Sequence, residues 1–370
     1  MTSRQRVIAT LNHQEPDRMP VDMMGTAGCL EDSAYFKLRD HLGLEGNGRQ
    51  FRKSSNVNYY DDRVLEKLGV DFRRVWMRAP INWQQQNIDE TSEKDEWGMI
   101  VKRENQAAWF INEPLSDASV SDLETYPWPD PYDPGRIEGL KEEAKILKET
   151  TGYAISARQP TPGIFELAQR LRGSERFLMD LILDKKFAIA LVHKIKEVRI
   201  AFFDSYLNEV GEYIQMVETA DDYGAQNGPL ISPKLFDEIF LPARKEMYSF
   251  IKKKAPNVKI FMHSDGGVYN LIKSFIETGV DVLNPVEPDV PGNDSDRLKK
   301  EFGKDLVFHG HLNNKGPMRG SLQDIQFEVE RIKNGIAHGG GYIFAPTNHF
   351  QRDVPPENII EAYRLATSEN

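Results

Sequence analysis

Short apolar runs that end in ionisable residues recur through the last third of this 370-residue chain. Three of them, residues 258–262, 305–308 and 341–345, lead into histidines, and a fourth, residues 280–283, leads into a glutamate. The ionisable residues at or just beyond the run ends are His263, His309, His311, His349 and Glu287. Polar groups gathered at the carboxyl ends of successive buried strands are typical of a (β/α)8 barrel. The pattern therefore predicts an α/β fold, the TIM barrel, with a metal site or acid–base chemistry at its mouth.

The rest of the chain favours the same fold. From residue 152 onward, strand-like runs alternate with amphipathic helical stretches, as in a parallel sheet with crossover helices. Earlier and central runs bring the total to about eight, which favours a closed barrel. These further candidate strands are residues 19–23, 72–77, 153–157 and 213–217. An N-terminal helical segment over residues 2–12 begins with the capping-box spacing of Thr2 and Gln5.

Residues 81–135 interrupt the alternation and predict an insertion. Two alternating runs, 98–102 and 107–111, surround Glu104-Asn105-Gln106, which is typical of a β-hairpin. A Pro-rich stretch over residues 126–131 follows and indicates a stiff connector. We interpret the insertion as a structural strap on the barrel.

Composition narrows the class of protein. With 39% hydrophobic and 28% charged residues, the chain has an ordinary globular composition and can form one domain over residues 1–370. Its net charge of −10 disfavours nucleic acid as a partner, and no apolar run approaches the roughly 20 residues of a membrane helix. Cys29 is the single cysteine, which excludes an internal disulfide and a Cys-rich zinc site. The sequence predicts a soluble cytoplasmic protein.

Paired ionisable residues at two strand ends are the strongest candidates for chemistry. His263 and Asp265 are two apart, so in an extended chain their side chains point the same way. This spacing predicts a metal site or direct catalysis, with a loop-ordering hydrogen bond as the alternative. Asp221 and Asp222 are neighbours, so only one is expected to reach the mouth. We favour Asp222 as catalytic and expect the other to order the loop.

The other candidates each have an ordinary alternative. Glu287 lies between two prolines in a restrained loop and could join the site or stay solvated. His309 and His311 are again two apart, and at least one is expected to face the site because burial without partners is costly. His349 follows the last strand, and Arg158, at the end of the third, could bind a substrate anion or form a salt bridge.

Seven short motifs, in order along nearly the whole chain, resemble those of the uroporphyrinogen decarboxylase (URO-D) superfamily. The similarity is greatest to its methyltransferase-like branch, which includes corrinoid-dependent methyltransferases. The motifs are PDRMPVD from Pro16, PTPG from Pro160, DDYG from Asp221, ISP from Ile231, HSDG from His263, VDVLNP from Val280 and VPPENI from Val354. Each is weak alone, and together they are specific for the superfamily. The resemblance implies a (β/α)8 barrel with its site in the mouth.

The chain departs from the family pattern at two places. True uroporphyrinogen decarboxylases carry Arg-Gln-Ala-Gly-Arg after the first strand, whose arginines hold substrate carboxylates, whereas this chain has Met24-Gly25-Thr26-Ala27-Gly28. Because bidentate arginine is the natural partner of a carboxylate, its loss argues against tetrapyrrole decarboxylation. The zinc methyltransferases of the superfamily carry His-x-Cys and a later Cys, whereas this chain has His263-Ser264-Asp265 and, near the later place, Asn348-His349.

These departures decide which chemistry the resemblance implies. A site of histidine and carboxylates is harder than a thiolate site and suits Zn²⁺ as a Lewis acid toward an oxygen substrate. The implied activity is methyl transfer from a small methylated substrate, with a methoxy compound favoured, to the cobalamin of a separate corrinoid protein. A separate protein is implied because the chain lacks an Asp-x-His-x-x-Gly motif. The expected metal ligands are His263, Asp265, Glu287, His311 and His349, and the expected catalytic residues are Asp222, His309 and Arg158.

Two alternatives stay open at this point. A cofactor-free decarboxylase or other lyase of the same barrel, acting on a different acid, would use a histidine or aspartate as its proton donor. A non-enzymatic barrel that carries a corrinoid or tetrapyrrole would bind its ligand without turnover. The superfamily resemblance is also compatible with a homodimer.

Overall fold

Seven parallel strands form the central sheet of the computed structural model, which describes residues 1–26, 28–52, 56–104 and 107–368. In chain order they are β1 (Phe72–Val75), β2 (Ala154–Ala157), β3 (Met216–Ala220), β4 (Lys259–His263), β5 (Val282–Asn284), β6 (Val307–Leu312) and β7 (Tyr342–Pro346). Each strand pairs in parallel with the next strand in this series. Nearly all of their residues are buried, as expected of a parallel sheet covered by helices.

The segment 20–22, called the closing segment below, links the two edges of this sheet. The Asp22 N–H donates to the Phe344 carbonyl in β7 (2.8 Å), and the Asp71 N–H, just before β1, donates to the Val21 carbonyl (2.9 Å). Val21 is the residue that forms the bridge to β7. A single bridge residue therefore stands where an eighth strand would close the barrel.

The first strand that the sequence predicted, over residues 19–23, is thus much shorter than expected. Pro20 has no N–H to donate to a neighbouring strand. Met24 adopts a left-handed φ of 63°, which ends the extended chain. Backbone chemistry at these two residues limits the segment to one bridge.

Helices alternate with the strands, as in a parallel α/β fold. The described α-helices are Ser3–Leu11, Asp32–His41, Asp62–Lys67, Asp122–Thr125, Leu140–Thr150, Ile164–Arg172, Ser174–Leu183, Lys185–Val210, Pro233–Lys254, Ile272–Thr278, Ser295–Phe302, Leu322–Asn334 and Pro356–Thr367. The first helix begins with the capping box that the sequence predicted, in which Thr2 and Gln5 exchange side-chain and backbone hydrogen bonds. Across the described ranges, no helix combines the length and apolar character needed to cross a bilayer.

The insertion has its own antiparallel sheet. Its four strands are Gln86–Asn87, Ser92–Lys94, Ile100–Glu104 and Ala107–Phe110. The last two pair where the alternating pattern predicted a hairpin, with Val101 opposite Phe110, and Asn105 and Gln106 of its turn lie outside the described residues. Two further antiparallel pairs lie in loops, Arg49–Gln50 with Tyr59–Tyr60 and Gly224–Ala225 with Gly228–Pro229.

Aromatic rings hold the insertion and its Pro-rich connector against the barrel. Trp97 stacks on Phe202 of the helix Lys185–Val210, with ring centroids 6.2 Å apart. Trp128 meets Trp97 edge-on at 6.4 Å. Such pairs combine apolar burial with a preferred geometry, which suits the strap role expected of this segment.

Strand β3 begins later than the sequence predicted. The preceding helix ends at Val210, and the Tyr213 N–H donates to the Val210 carbonyl in a turn, so the extended chain starts only at Met216. The strand predicted over residues 213–217 was therefore misplaced. As a result Glu218, expected beyond the strand, lies inside it and is buried.

Asp71 fastens the closing segment, and we expect its loss to destabilise the fold. Its buried carboxylate accepts hydrogen bonds from Arg6 (2.8 Å), Arg18 (2.9 Å) and the Val21 N–H (2.9 Å). Because Asp71→Ala removes the anion that these groups share, the free energy of unfolding in urea should fall by about 3–5 kcal/mol. The control Asp117→Ala, at an exposed site, should change it by less than about 0.5 kcal/mol. Equal stability of the two variants would contradict this role.

Candidate functional site

His263, Asp222 and Asp265 meet at the carboxyl ends of β3 and β4. His263 is the last residue of β4, and the two aspartates lie in the loops that follow β3 and β4. The His263 Nε2 atom is 3.5 Å from Asp265 Oδ1 and 3.6 Å from Asp222 Oδ1. One ligand atom from each residue lies within 4.8 Å of the other two, so these residues, called the His263 group below, could hold a metal ion.

Close packing of two loops sets the spacing of the two carboxylates. Asp222 Oδ1 accepts a hydrogen bond from the Asp265 N–H (3.0 Å), and the Asn348 side-chain amide donates to Asp265 Oδ2 (3.4 Å). A Cβ atom at Gly224 would lie only 2.3 Å from the Asp265 carbonyl oxygen. Glycine at this site therefore lets the loop after β3 press against the loop after β4.

One oxygen of the His263 group is buried and has no hydrogen-bond partner among the described residues. It is Asp265 Oδ1, the atom that faces His263 Nε2. Burial, helped by the charges of Asp222 and Glu287 and opposed by His263, raises the pKa of Asp265. A buried oxygen of this kind destabilises the site unless a cation or a proton compensates it. Since histidine and aspartate are ordinary Zn²⁺ ligands, the residues fit a divalent cation.

A chain of hydrogen bonds defines which nitrogen of His263 faces the carboxylates. Asn284 Oδ1 lies 2.7 Å from His263 Nδ1, and Asn284 Nδ2 lies 2.8 Å from His309 Nδ1. His309 Nε2 lies 2.9 Å from Asp22 Oδ2. Because carboxylate and amide oxygens only accept, the two rings donate from His309 Nε2 and His263 Nδ1. The neutral His263 ring therefore has an unprotonated Nε2, the form that a metal ligand requires.

The charge state of His263 results from opposing effects. Burial disfavours the imidazolium, but the charges of Asp265 and Asp222 outweigh burial and raise the pKa of His263. A bound cation would compete with a proton for the same nitrogen, because metal ligation needs the deprotonated ring. The His263 group is thus suited to hold either a proton or a metal ion.

Three buried charged residues support this chain and were missed by the sequence analysis. The Arg74 guanidinium donates to Glu218 Oε1 (2.8 Å) and to Asp22 Oδ2. Burial alone would raise the pKa of Asp22, but Arg74 and His309 outweigh it and lower the pKa to about 2. Asp22 therefore stays ionised at neutral pH. The available signal was the presence of two arginines in the predicted strand that includes Phe72–Val75, since a buried arginine implies a buried anion.

The two aspartates after β3 point to different sides, as alternation predicts. Asp221 is buried and accepts hydrogen bonds from Arg244 (2.8 Å), from the Tyr223 hydroxyl (2.9 Å) and from two N–H groups in the first turn of the helix Ile164–Arg172. It orders the loop and caps that helix. Asp222 faces the mouth, where it is a candidate metal ligand beside His263. Its catalytic role stays a prediction.

The structure does not bring His311 to the site, which corrects its assignment as a metal ligand. His311 is fully buried, and its Nδ1 contacts the Val286 carbonyl while its Nε2 lies 2.8 Å from both Ser295 Oγ and an Arg331 nitrogen. Its left-handed φ of 81° breaks the alternation that was expected to align it with His309. His309 faces inward instead, as a buried member of the hydrogen-bond chain.

Glu287 and His349 border the His263 group without joining it. Glu287 pairs with Lys315 (3.2 Å) and influences Asp265 by its charge. His349 Nδ1 accepts the Cys29 N–H (2.9 Å), so the neutral ring carries its proton on Nε2 and is a hydrogen-bond donor rather than a ligand. Burial, together with nearby positive groups, lowers the pKa of His349 to about 3 and keeps it neutral.

Arg158 supports the loop that follows the closing segment, called the first loop below. One of its terminal nitrogens donates to the Met24 (3.0 Å) and Gly25 (2.7 Å) carbonyls, and the residue is buried. Ala27 of the same loop lies outside the described residues. These acceptors are neutral. Among the described residues Arg158 forms no ion pair, so the predicted salt-bridge alternative is not observed.

Comparisons with known proteins place this chain in a family. The uroporphyrinogen decarboxylase (URO-D) family model matches residues 88–367. A search of curated proteins finds no match. A solved structure described as a methyltransferase from Methanosarcina mazei is similar with a TM-score of 0.66 and 17% identity, covering 99% of this chain and 98% of that one. A second match, to an endo-1,4-beta-xylanase from Penicillium canescens, covers 61% of this chain and 90% of the xylanase chain, with a TM-score of 0.33 and 9% identity. At such identities the first likeness shows the fold alone.

The hydrogen-bond chain predicts defined histidine tautomers. In metal-free protein, above the pKa of His263, we expect the His263 proton on Nδ1 and the His309 proton on Nε2, which ¹⁵N NMR of histidine-labelled protein distinguishes. Asn284→Ala should release His263 to a mixture of tautomers and lower stability by about 1–3 kcal/mol, because buried nitrogens lose a partner. The exposed His193 serves as the reference signal. An Nε2 proton on wild-type His263 would contradict the chain.

Buried His311 predicts a loss of stability in acid. Burial lowers its pKa to about 4, whereas an unfolded histidine titrates near about 6.5. Between these values the unfolded chain binds more protons, so this residue should lower the free energy of unfolding by about 3 kcal/mol as the pH falls from about 6.5 to about 4. In urea titrations over this window, His311→Gln should lower the number of protons taken up on unfolding by about one. An unchanged slope would show that His311 protonates in the folded state.

Proposed function

The chain belongs to the uroporphyrinogen decarboxylase family, and we propose that it is a methyltransferase. It would take a methyl group from a small methoxylated substrate and pass it to the cobalamin of a separate corrinoid protein, with Zn²⁺ assistance at the barrel mouth. The observation that carries this proposal is Asp265 Oδ1, which faces the Nε2 of His263 and is buried without a hydrogen-bond partner in the part of the chain that the structure describes. A proton or a cation is needed there, and the ligand types suit zinc.

The cation would be held by His263, Asp222 and Asp265. Three protein ligands are typical of catalytic zinc sites, which keep a further coordination place for substrate. When bound, such a cation supplies a Lewis acid for the ether oxygen of the substrate. The set contains no thiolate, which favours an oxygen substrate over a thiol. Asn284, the partner of His263 Nδ1, would orient the imidazole in the way that outer hydrogen bonds orient metal ligands.

Groups of the chain itself would bind the substrate and stabilise the negative charge that forms on its oxygen. Loss of a methyl group to a reduced corrinoid leaves negative charge on the substrate oxygen. The Nε2–H of His349 is a donor in the same mouth and would stabilise that charge. Asp22 and His309 keep Asn284 oriented, so that His263 presents the same nitrogen throughout. The corrinoid would be supplied by a partner because this chain lacks a cobalamin motif.

The first loop argues against decarboxylation of a tetrapyrrole. It carries no arginine between Met24 and Gly28. Its backbone is fastened by Glu218, which accepts the Thr26 N–H (2.6 Å), and by Arg158 through the Gly25 carbonyl (2.7 Å). A substrate with many carboxylates would need several cationic partners at this loop.

A second candidate is cofactor-free decarboxylation, or another lyase reaction, on a smaller acid. The raised pKa of His263 favours it, because an imidazolium between two carboxylates is a suitable proton donor to a carbanion. The two functions differ in their need for a cation. Full activity toward a small acid in chelator-treated protein would support this second candidate.

Metal analysis and methyl transfer test the proposal together. Full-length protein should contain about one Zn²⁺ per chain. His263→Ala and Asp265→Asn should lose it, because the first removes a ligand and the second replaces an anionic ligand by a neutral amide. Demethylation of methoxylated compounds with a Co(I) corrinoid protein, followed by cobalamin absorbance, should fall at least about 100-fold in both variants. The control His193→Ala removes an exposed histidine from the helix Lys185–Val210 and should keep metal and activity.

The outcomes separate the parts of the proposal. Metal that is bound by wild type and lost in His263→Ala, without methyl transfer to a corrinoid, would retain the metal site and overturn the methyltransferase. Wild-type protein that binds no zinc even after its addition would overturn the metal site. Loss of metal in His193→Ala would show that the variants act through general destabilisation.

A further inference from the structure

Two arginines share one aromatic ring on the β2 side of the mouth. The guanidinium carbon of Arg158 lies 4.6 Å from the centroid of the Phe51 ring, and that of Arg52 lies 5.1 Å from it. Arg158 follows β2 and is buried, whereas Arg52 is exposed at the rim. We call these two residues the arginine pair. The two charges act on each other, because the charge of Arg158 lowers the pKa of Arg52, and like charges repel unless an anion compensates them.

Among the described residues, the hydrogen bonds of the arginine pair go to neutral groups. Arg158 donates to the Met24 and Gly25 carbonyls, and Arg52 Nε donates to the Val57 carbonyl (2.6 Å). In the ranges that the structure describes, neither guanidinium has a carboxylate within ion-pair distance. Partial withdrawal from water and the Arg158 charge lower the pKa of Arg52 to about 10, and it stays charged at neutral pH. Both side chains keep N–H donors that these bonds do not use.

The first loop connects the arginine pair with the His263 group. The Gly25 carbonyl that binds Arg158 also accepts a contact from the Cys29 thiol (3.0 Å), and the Cys29 N–H donates to His349 Nδ1 (2.9 Å). Asn348, the neighbour of His349, donates to Asp265 Oδ2 (3.4 Å). Positive and negative clusters thus border one mouth and are joined by a continuous set of contacts.

We infer that the arginine pair binds a carboxylate on the substrate, so that the substrate class is a small methoxylated carboxylic acid. A planar carboxylate can accept parallel N–H bonds from guanidinium groups, and it supplies the charge that the pair lacks. The methoxy group of this substrate class rests on the proposed function, whereas the binding of a carboxylate by the arginine pair does not. In this arrangement the carboxylate binds beside Phe51, and the methoxy group is at the other end of the substrate.

Binding of matched probes tests the inference. Isothermal titration of the full-length protein as purified, and again after chelation, would compare 4-methoxybenzoate with 4-methoxybenzyl alcohol, and methoxyacetate with 2-methoxyethanol. Each acid should bind at least about tenfold more tightly than its neutral partner, with or without metal. Arg52→Gln should remove about tenfold of acid binding and leave alcohol binding unchanged. Because Arg52 is exposed, this variant should fold normally.

A matched control and a second variant complete the test. Arg49→Gln removes an arginine of the same segment that is already paired with Glu143 (2.8 Å) and stacked on Trp76 (3.9 Å), so acid binding should not change. Arg158→Lys keeps the charge but not the planar fork, and it should weaken acid binding less than Arg52→Gln combined with Arg158→Gln.

Three results would overturn the inference. In the first, each acid binds no more tightly than its neutral partner. In the second, the acids give no binding heat. In the third, the Arg52→Gln variant binds the acids with the affinity of wild type. Acid-selective binding without methyl transfer would keep the arginine pair and overturn the proposed function. Methyl transfer from neutral compounds alone would keep the proposed function and overturn the inference.

Discussion

Both the barrel and its mouth depend on the ion pairs of the buried Arg74 guanidinium. From β1 it binds Asp22 in the closing segment and Glu218 in β3. Burying three charges costs several kcal/mol, and only a complete set of hydrogen bonds offsets that cost. The set is extended because Glu218 also accepts from the Ser156 hydroxyl (2.8 Å) and the Thr26 N–H (2.6 Å). The closing segment, three strands and the first loop are therefore held by one charge cluster.

The same cluster influences the candidate site through hydrogen-bond direction. Arg74 keeps Asp22 ionised, an ionised carboxylate can only accept, and His309 must therefore donate from Nε2. Asn284 then has one orientation, with its amide nitrogen toward His309 and its oxygen toward His263. A neutral Asp22 would permit the reverse direction and a His263 ring with its proton on Nε2. The ability of His263 to accept a cation thus depends on the charge of Asp22, at the other end of the hydrogen-bond chain.

Sequence patterns predicted the features that depend on local chain properties, and missed those that depend on distant partners. The spacing of His263 and Asp265 requires only a strand end and the alternation of side chains. His311 has the same spacing from His309 but follows Gly310, and positive φ values at both residues turn it outward. Glu218 was misplaced because the end of the preceding helix sets where β3 starts. Nothing local to Arg74 identifies its anions, which come from elements far apart in sequence.

The polarity of the mouth links the two proposals. The aspartates of the His263 group lie on one side of the mouth, and the arginine pair lies on the other. Like charges are thus grouped on each side, in a chain whose net charge is −10. Each side is therefore strained by repulsion when it lacks a counter-charge. A cation and a substrate carboxylate would relieve both sides and orient the substrate between them. The first loop contains no arginine of its own, yet its Met24 and Gly25 carbonyls hold Arg158, which follows β2. In this scheme the loop recognises an acid by positioning an arginine from the end of another strand, which suits a substrate with one carboxylate rather than many.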